Sequence, residues 1–218
     1  MDYRKALEIQ MSFHAKVSAG EIDDVLLLVE HPAVITLGVR GDYSNILVPL
    51  EELKKENIEI IKVKRGGDVT YHGPGQLVGY PIMNLANHGK SIKKYVPMLE
   101  KIFVNLLRDE YNIEAKPNEG KLTGVWVGDE KITAIGIAIS RWITYHGFAF
   151  NVNTNLNHFK WIVPCGLQDK GVTSIQKLTG QEADFENVKD LVIKYFTQVF
   201  DVEIEKERYS TLGVNDGL

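Results

Sequence analysis

The chain has 218 residues, 44% of them hydrophobic and 25% charged, the composition of a soluble globular protein long enough for one sizeable core. A formal net charge of −4 with no basic block argues against nucleic acid as the main partner, and no apolar run approaches the ~20 residues of a membrane span. The single cysteine, Cys165, excludes an internal disulfide, and Met1-Asp2-Tyr3-Arg4-Lys5 lacks the apolar stretch of a signal peptide, so a cytoplasmic protein is expected.

The spacing predicts a helix over residues 2–19, with Asp2 as N-cap, Gly20 as stop, and Tyr3, Leu7, Met11 and His14 near one face. Residues 24–30 and 33–38 are β-rich apolar runs separated by a His31-Pro32 turn. Pro49 opens a short helix ending near Asn57. Residues 58–64 alternate as a strand that runs into a glycine-rich loop, and residues 76–82 return as a strand. Residues 91–110 carry the strongest helical stripe: Tyr95, Leu99, Ile102, Phe103, Leu106 and Leu107, with Ser91 as cap. Pro97 within it predicts a kink or a later start. Residues 117–123 read as a connector. Val125-Trp126-Val127, a turn at Gly128-Asp129-Glu130 and a long strand over 131–140 make a hairpin, followed by an antiparallel strand over 143–152. Residues 151–157 are turn-rich, and Pro164-Cys165-Gly166 lies in irregular chain. Residues 172–175 and a helix from about 186 to 200 close the fold. With no repeat and no linker, 1–218 reads as a single domain. Strands occur in hairpins as often as between helices, which favours α+β over a doubly wound sheet.

One segment stands apart: Arg65-Gly66-Gly67-Asp68-Val69-Thr70-Tyr71-His72-Gly73-Pro74-Gly75-Gln76-Leu77. Its glycines allow positive φ or close approach to a ligand, and Pro74 fixes one turn. Most loops of this composition are connectors. Arg, Tyr and His are not turn formers, however, and their presence points to a loop that wraps a ligand and offers it polar groups.

Cys165 is either a buried small hydrophobe or a reactive thiol. Pro164 and Gly166 place it at a turn, which suits a nucleophile with backbone N–H groups converging beside it. A thiolate needs a nearby cation or base. Lys131, His72, His146 and His158 are the candidates, and spacing does not choose among them. Lys131 also has the simpler reading of a solvated lysine at a hairpin edge. Beyond it, alternation sets Ile132, Ala134, Gly136 and Ala138 on one face, with Lys131, Thr133, Ile135, Ile137 and Ile139 on the other. The Ala134-Gly136-Ala138 row makes room for a closely packed element or for an acyl chain. Strict parity puts Lys131 on the face opposite that row; only a bulge or twist near 131–133 joins the two. There is no Gly-x-Ser-x-Gly elbow, no Walker A motif, no dinucleotide fingerprint and no metal-ligand spacing among the histidines. His31 and His88 read as loop residues.

Four ordered segments together resemble the lipoate-protein octanoyltransferase family. They are the loop from Arg65 to Gln76; Lys131-Ile132-Thr133-Ala134-Ile135-Gly136-Ile137; His146-Gly147-Phe148-Ala149-Phe150-Asn151-Val152; and Pro164-Cys165-Gly166 followed by Val172-Thr173-Ser174. The resemblance spans about residues 25–180. Asp68 and Asp129-Glu130 depart from the family's usual residues. The resemblance implies a fold like the lipoate and biotin protein ligases: an α+β domain with a mixed central β-sheet, a smaller second sheet and flanking helices. It implies transfer of octanoyl groups from octanoyl-acyl carrier protein to a specific lysine of lipoyl domains, those of 2-oxoacid dehydrogenase complexes and the glycine cleavage H protein, with no cofactor and no metal. On this basis Cys165 is the acyl-thioester nucleophile, and Lys131 lowers its pKa and shuttles protons. The substrate pocket is lined by Arg65, Gly66, Gly67, Asp68, Val69, Thr70, Tyr71 and His72, by Ala134, Ile135 and Gly136, and by Gly147, Phe148 and Ala149. Three rival readings are an ATP-dependent lipoate ligase on the same fold, a non-catalytic lipoyl-domain-binding module, and a thiol hydrolase using Cys165 and His72.

Overall fold

The computed structural model describes residues 1–118, 123–163 and 170–207. Pro164-Cys165-Gly166 lies outside them, as do residues 119–122 of the expected connector.

The described residues form two sheets. The larger contains β1 (Val25–Val29), β5 (Gln76–Ile82), β6 (Lys116–Pro117), β7 (Gly124–Val127), β8 (Glu130–Ser140), β9 (Ile143–Asn151) and β10 (Gly171–Val172). Its order is β1-β5-β9-β8-β7-β6, antiparallel throughout, with β10 added parallel to the start of β8. The smaller holds β2 (Val34–Leu37) between β3 (Glu59–Lys62), parallel to it, and β4 (Val69–His72), antiparallel. The expected mixed sheet, smaller second sheet and flanking helices are all present.

Helix α1 (Tyr3–Ala19) starts where the Asp2 carboxylate accepts the Lys5 N–H at 3.1 Å and stops at Gly20, whose φ of 71° is left-handed. It buries Tyr3, Ala6, Ile9, Gln10, Phe13, His14 and Val17. Of the expected face Tyr3, Leu7, Met11 and His14, the first and last are buried, but the Tyr3-Leu7-Met11 row leaves the sheet: Leu7 is half-buried and Met11 exposed. Steps of four advance about 40° around a 3.6-residue helix, so that row walks off the sheet, while alternating steps of three and four stay on it. The short helix α2 (Leu50–Lys55) precedes β3.

Helix α3 (Ile92–Tyr111) runs on through Pro97, with no later start, and the Ser91 side chain makes no capping bond. It packs with α5 (Phe185–Phe200) on one face of the large sheet. Phe103 of α3 is fully buried, 4.8 Å from the Phe148 ring and 4.9 Å from the Phe150 ring of β9. α1 covers the other face, with Ala6 against Val78, Tyr80 and Ala149.

Three turns position the site strands. Gly128-Asp129 closes the β7–β8 hairpin in two residues. Arg141-Trp142 closes β8–β9 with both φ values positive, 52° and 68°, a geometry for which neither residue is a sequence signal. The run expected over 172–175 divides: β10 ends at Val172, and Ser174 caps a separate helix, α4 (Ile175–Thr179), by accepting the Lys177 N–H at 3.1 Å.

The β7–β8 ladder carries a β-bulge. Trp126 faces Lys131, yet the neighbouring Val125 faces Thr133, so Ile132 is the extra residue. The bulge resets strand parity. Ile132 and Ile135 both join the core beneath α3 and α5, and Lys131 and Ala134 both line the opposite cavity. The strict-parity expectation for Lys131 is thereby overturned.

Phe103→Ala removes a ring from the middle of the larger core and is expected to lower the unfolding free energy by about 3–5 kcal/mol, read from urea denaturation. A loss below about 1 kcal/mol means that α3 is not clamped to β9 in this way.

Candidate active site

The two sheets meet at the glycine-rich segment. Gly38, Val39 and Arg40, just beyond β2, donate backbone bonds to Asp68 O, Arg65 O and Gly67 O at 3.0–3.1 Å, while Gly66 N–H donates to Ile137 O of β8 at 2.8 Å. One loop is thus stitched to both sheets. Its approach to β8 requires Gly136: a Cβ there meets Gly66 O at 2.8 Å and Arg65 Cδ at 3.3 Å. Of the two readings of the Ala134-Gly136-Ala138 row, close packing is the one seen at Gly136, and Ala134 and Gly136 line the cavity without Ala138.

Beneath the loop lies a cavity of about 320 Å³, within the range of small-molecule sites. Of the residues expected around a pocket, Arg65, Gly66, Gly67, Asp68, Val69, Thr70, His72, Lys131, Ala134, Ile135, Gly136, Gly147, Phe148 and Ala149 line it. Tyr71 does not. Its buried ring packs 5.4 Å from Phe159 among the apolar residues behind the small sheet, and its hydroxyl meets His158 Nδ1 at 2.8 Å. Alternation along β4 turns Tyr71 away from the side on which Thr70 and His72 face the cavity. Cys165 lies outside the described residues.

Arg65 is 7% exposed. Its Nη2 donates to Thr36 O at 2.7 Å and to Thr36 Oγ1 at 2.9 Å, its Nε to Thr36 Oγ1 at 3.2 Å, and its Nη1 to Gly66 O at 3.1 Å. The guanidinium is therefore fixed in direction within the cavity wall. The chain of bonds continues inward. Thr36 Oγ1, already accepting from Arg65, turns its proton to His72 Nε2 at 3.4 Å. His72 Nδ1–H donates to Gln76 Oε1 at 2.8 Å, since the Gln76 amide nitrogen donates to Asn151 Oδ1 at 2.9 Å and to Tyr71 O at 3.3 Å. Asn151 Nδ2 donates in turn to Thr173 O at 2.9 Å. Both His72 nitrogens are engaged in this wall, and burial together with the nearby His31 and Arg65 holds its pKa well below the usual histidine range. His72 is a neutral pin between the two sheets.

Several lining residues were not anticipated. Tyr3 stacks on His72 at 5.7 Å. Tyr80 bonds His31 Nε2 at 2.7 Å, and Val78 and Asn151 complete the wall. His31 is no simple loop residue: it is buried, with Nδ1 donating to Met1 O at 2.7 Å and a pKa lowered to about 4 by burial. His146, one of the candidate partners of the thiol, lines the cavity too. It sits at φ 56° in β9, its N–H donating to Gln10 Oε1 at 2.9 Å, and burial beside Arg65 lowers its pKa to about 4. The signals for these residues were weak. Tyr3 and His31 are remote in sequence from the motif, whereas Gln76, His146 and Asn151 belong to the quoted segments but carry structural bonds that spacing does not reveal. His88, the other histidine read as a loop residue, pairs with Asp24 at 2.5 Å away from the site.

Lys131 enters from the bulge. Its Nζ donates to Thr123 O at 3.3 Å and lies 4.9 Å over the Trp126 ring. The wall thus offers one amine at an edge, one fixed guanidinium, and an apolar bed of Val78, Ala134, Ile137 and Ala149. That combination suits an acyl group whose reactive carbon sits near an amine. No cluster of three or more metal-ligating side chains occurs among the described residues, and no described helix is long and apolar enough to cross a membrane.

The model of the lipoyl protein ligase A/B catalytic domain matches residues 2–197. The chain belongs to this family. A protein of Caldicellulosiruptor saccharolyticus named octanoyltransferase is 56% identical over 200 residues, 92% of this chain and 85% of its own. Among solved structures, lipoate-protein ligase A bound with ATP superposes with a TM-score of 0.72 at 17% identity, covering 91% of this chain and 83% of that one. The biotin protein ligase of Aquifex aeolicus in complex with biotin and ATP gives 0.52 at 17% identity, covering 77% and 70%. At these identities the structures show a shared fold.

The buried imidazoles set a pH dependence. The unfolded chain binds protons at His31 and His146 near pH 6.5, whereas the folded chain does so only near 4. Stability is therefore full above about pH 6.5 and lost as pH falls toward 4, on the order of 3 kcal/mol for each histidine. Urea denaturation at steps from pH 7.5 to 4.5 is expected to show this decline, and a flat profile contradicts neutral burial.

Proposed function

We propose that this chain is an octanoyltransferase of protein lipoylation. It takes the octanoyl group of octanoyl-acyl carrier protein and passes it to a specific lysine of lipoyl domains, those of 2-oxoacid dehydrogenases and the glycine cleavage H protein. It acts as a single domain over residues 1–218, in the cytoplasm and without a cofactor. The observation that carries this reading is the bulge that brings Lys131 and the Ala134-Gly136 bed to one cavity wall, in a chain 56% identical to a protein of that name.

Cys165 is assigned the nucleophile. Neutral Lys131 takes its proton, and the thiolate attacks the donor thioester. The carbon–sulfur bond to the carrier breaks as the bond to Cys165 forms, and the ammonium returns its proton to the departing thiolate. The acceptor lysine then attacks the acyl-enzyme, Lys131 receives the amine proton, and the thiol is restored as an amide forms. The first exchange is between thioesters of similar energy; the second runs downhill to the amide. The residues Arg65 to Thr70, with His72, form the roof over the acyl group and Ala134, Gly136 and Ala149 its bed. Burial of six methylenes at ~0.8 kcal/mol each contributes roughly 5 kcal/mol to holding the chain.

Intact mass after mixing with octanoyl-acyl carrier protein, without acceptor, is expected to rise by one octanoyl group. The gain disappears in Cys165→Ala and is discharged by a lipoyl domain. No gain, with lipoate attachment on adding ATP and free lipoate, identifies a ligase instead. With hexanoyl in place of octanoyl, kcat/KM is expected to fall about 15-fold, the equivalent of two methylenes at ~0.8 kcal/mol each. Equal rates for the two chains are incompatible with the apolar bed.

A further inference from the structure

Helix α3 brings a carboxylate to the same corner as Lys131. Glu100 is 8% exposed, in a helix face otherwise packed on the sheet. Its Oε1 accepts the Gly124 N–H at 3.0 Å. Gly124 opens β7 at φ 136°, where a Cβ meets Thr133 O at 2.4 Å and lies 3.4 Å from Lys131 Cε. The lysine stem passes over the space that a side chain at Gly124 takes up, and Glu100 holds that backbone in place.

We propose that Glu100 is a positioning residue for Lys131: it ties down the strand edge over which the lysine stem passes and supplies a negative charge that favours the ammonium form of the lysine. Trp126 completes the hold from the ladder position opposite Lys131. Burial raises the Glu100 pKa, while the Gly124 N–H and the charge of Lys131 draw it back, so acid and lysine sense each other electrostatically. Among the described residues, other charges also stand around this corner. On the β7–β8 hairpin and its neighbours, Glu130 pairs with Lys177 and Asp129 with Lys170, and Lys116 of β6 is exposed. Across the cavity stand Arg65, Arg40 and Asp68 from the loops, and His72 and His146 as buried imidazoles. Glu100 is the acid that α3 contributes to the buried side.

This inference rests on the transferase reading but is tested partly without it. Glu100→Gln keeps an acceptor for Gly124 and removes the charge. In the free protein, the Lys131 side chain, followed by NMR of 13C-lysine-labelled material and assigned with Lys131→Arg, is expected to titrate at lower pH in Glu100→Gln by about half a unit or more. The pH profile of octanoyl transfer should move to lower pH as a whole, because loss of the negative charge favours both the neutral amine and the thiolate. Glu100→Ala, lacking charge and acceptor, should lose transfer rate that Gln restores at its own optimum. If Glu100→Ala does not fold, Glu100→Gln decides alone. A folded Glu100→Gln with unmoved Lys131 titration and unmoved profile makes Glu100 a strand cap and overturns the proposal. If the wild type transfers no octanoyl, the functional reading fails, and the Lys131 titration still decides this one.

Discussion

The bond from Gly66 N–H to Ile137 O, made possible by the absence of a side chain at Gly136, joins the small sheet to the large one. Without it the Arg65 loop keeps its bonds to Gly38, Val39, Arg40 and Asn45 but loses its tie to β8. A single hydrogen bond contributes about 1 kcal/mol net, too little to hold two sheets together by energy alone. Its importance is geometric, since it fixes the distance between the Arg65 loop and β8.

From that seam the electrostatics follow. Arg65 is a permanent cation in a wall whose imidazoles are held neutral by burial and by its own field. The phenols of Tyr3 and Tyr80 are likewise kept protonated, that of Tyr3 with a pKa pushed up to about 12. The wall therefore holds its charge state across the physiological range, and proton movement falls to groups at the edge. Lys131 stands at that edge, steered by a strand bulge and an aromatic face.

Much of the architecture was legible. Alternation and helical stripes announced β5, β8, β9, α3 and α5 to within a residue or two, because each buries a continuous apolar face. The α1 face was legible in part: Tyr3 and His14 face inward, while the steps of four through Leu7 and Met11 leave the sheet. The Arg141-Trp142 turn was invisible because positive φ is written there in residues that do not favour it. Tyr71 was read with its neighbours as lining the pocket, and strand alternation turned it to the other side.

The amino-acid sequence by itself determined which residues are available: a glycine-rich loop, a small-residue strand, one lysine before it and one cysteine. These are local chemical facts, and composition and spacing carry them. What only the tertiary structure decided is which of them meet. Strict alternation separates Lys131 from Ala134. The ladder against β7 adds one residue at Ile132 and reunites them, because a bulge is set by the register of two strands and not by either alone. Tyr3 and His146 come to the cavity, and His31 and Glu100 to the residues around it, through packing between elements. Each is an ordinary residue on its own element, and its part depends on distances to other elements that no spacing along the chain encodes.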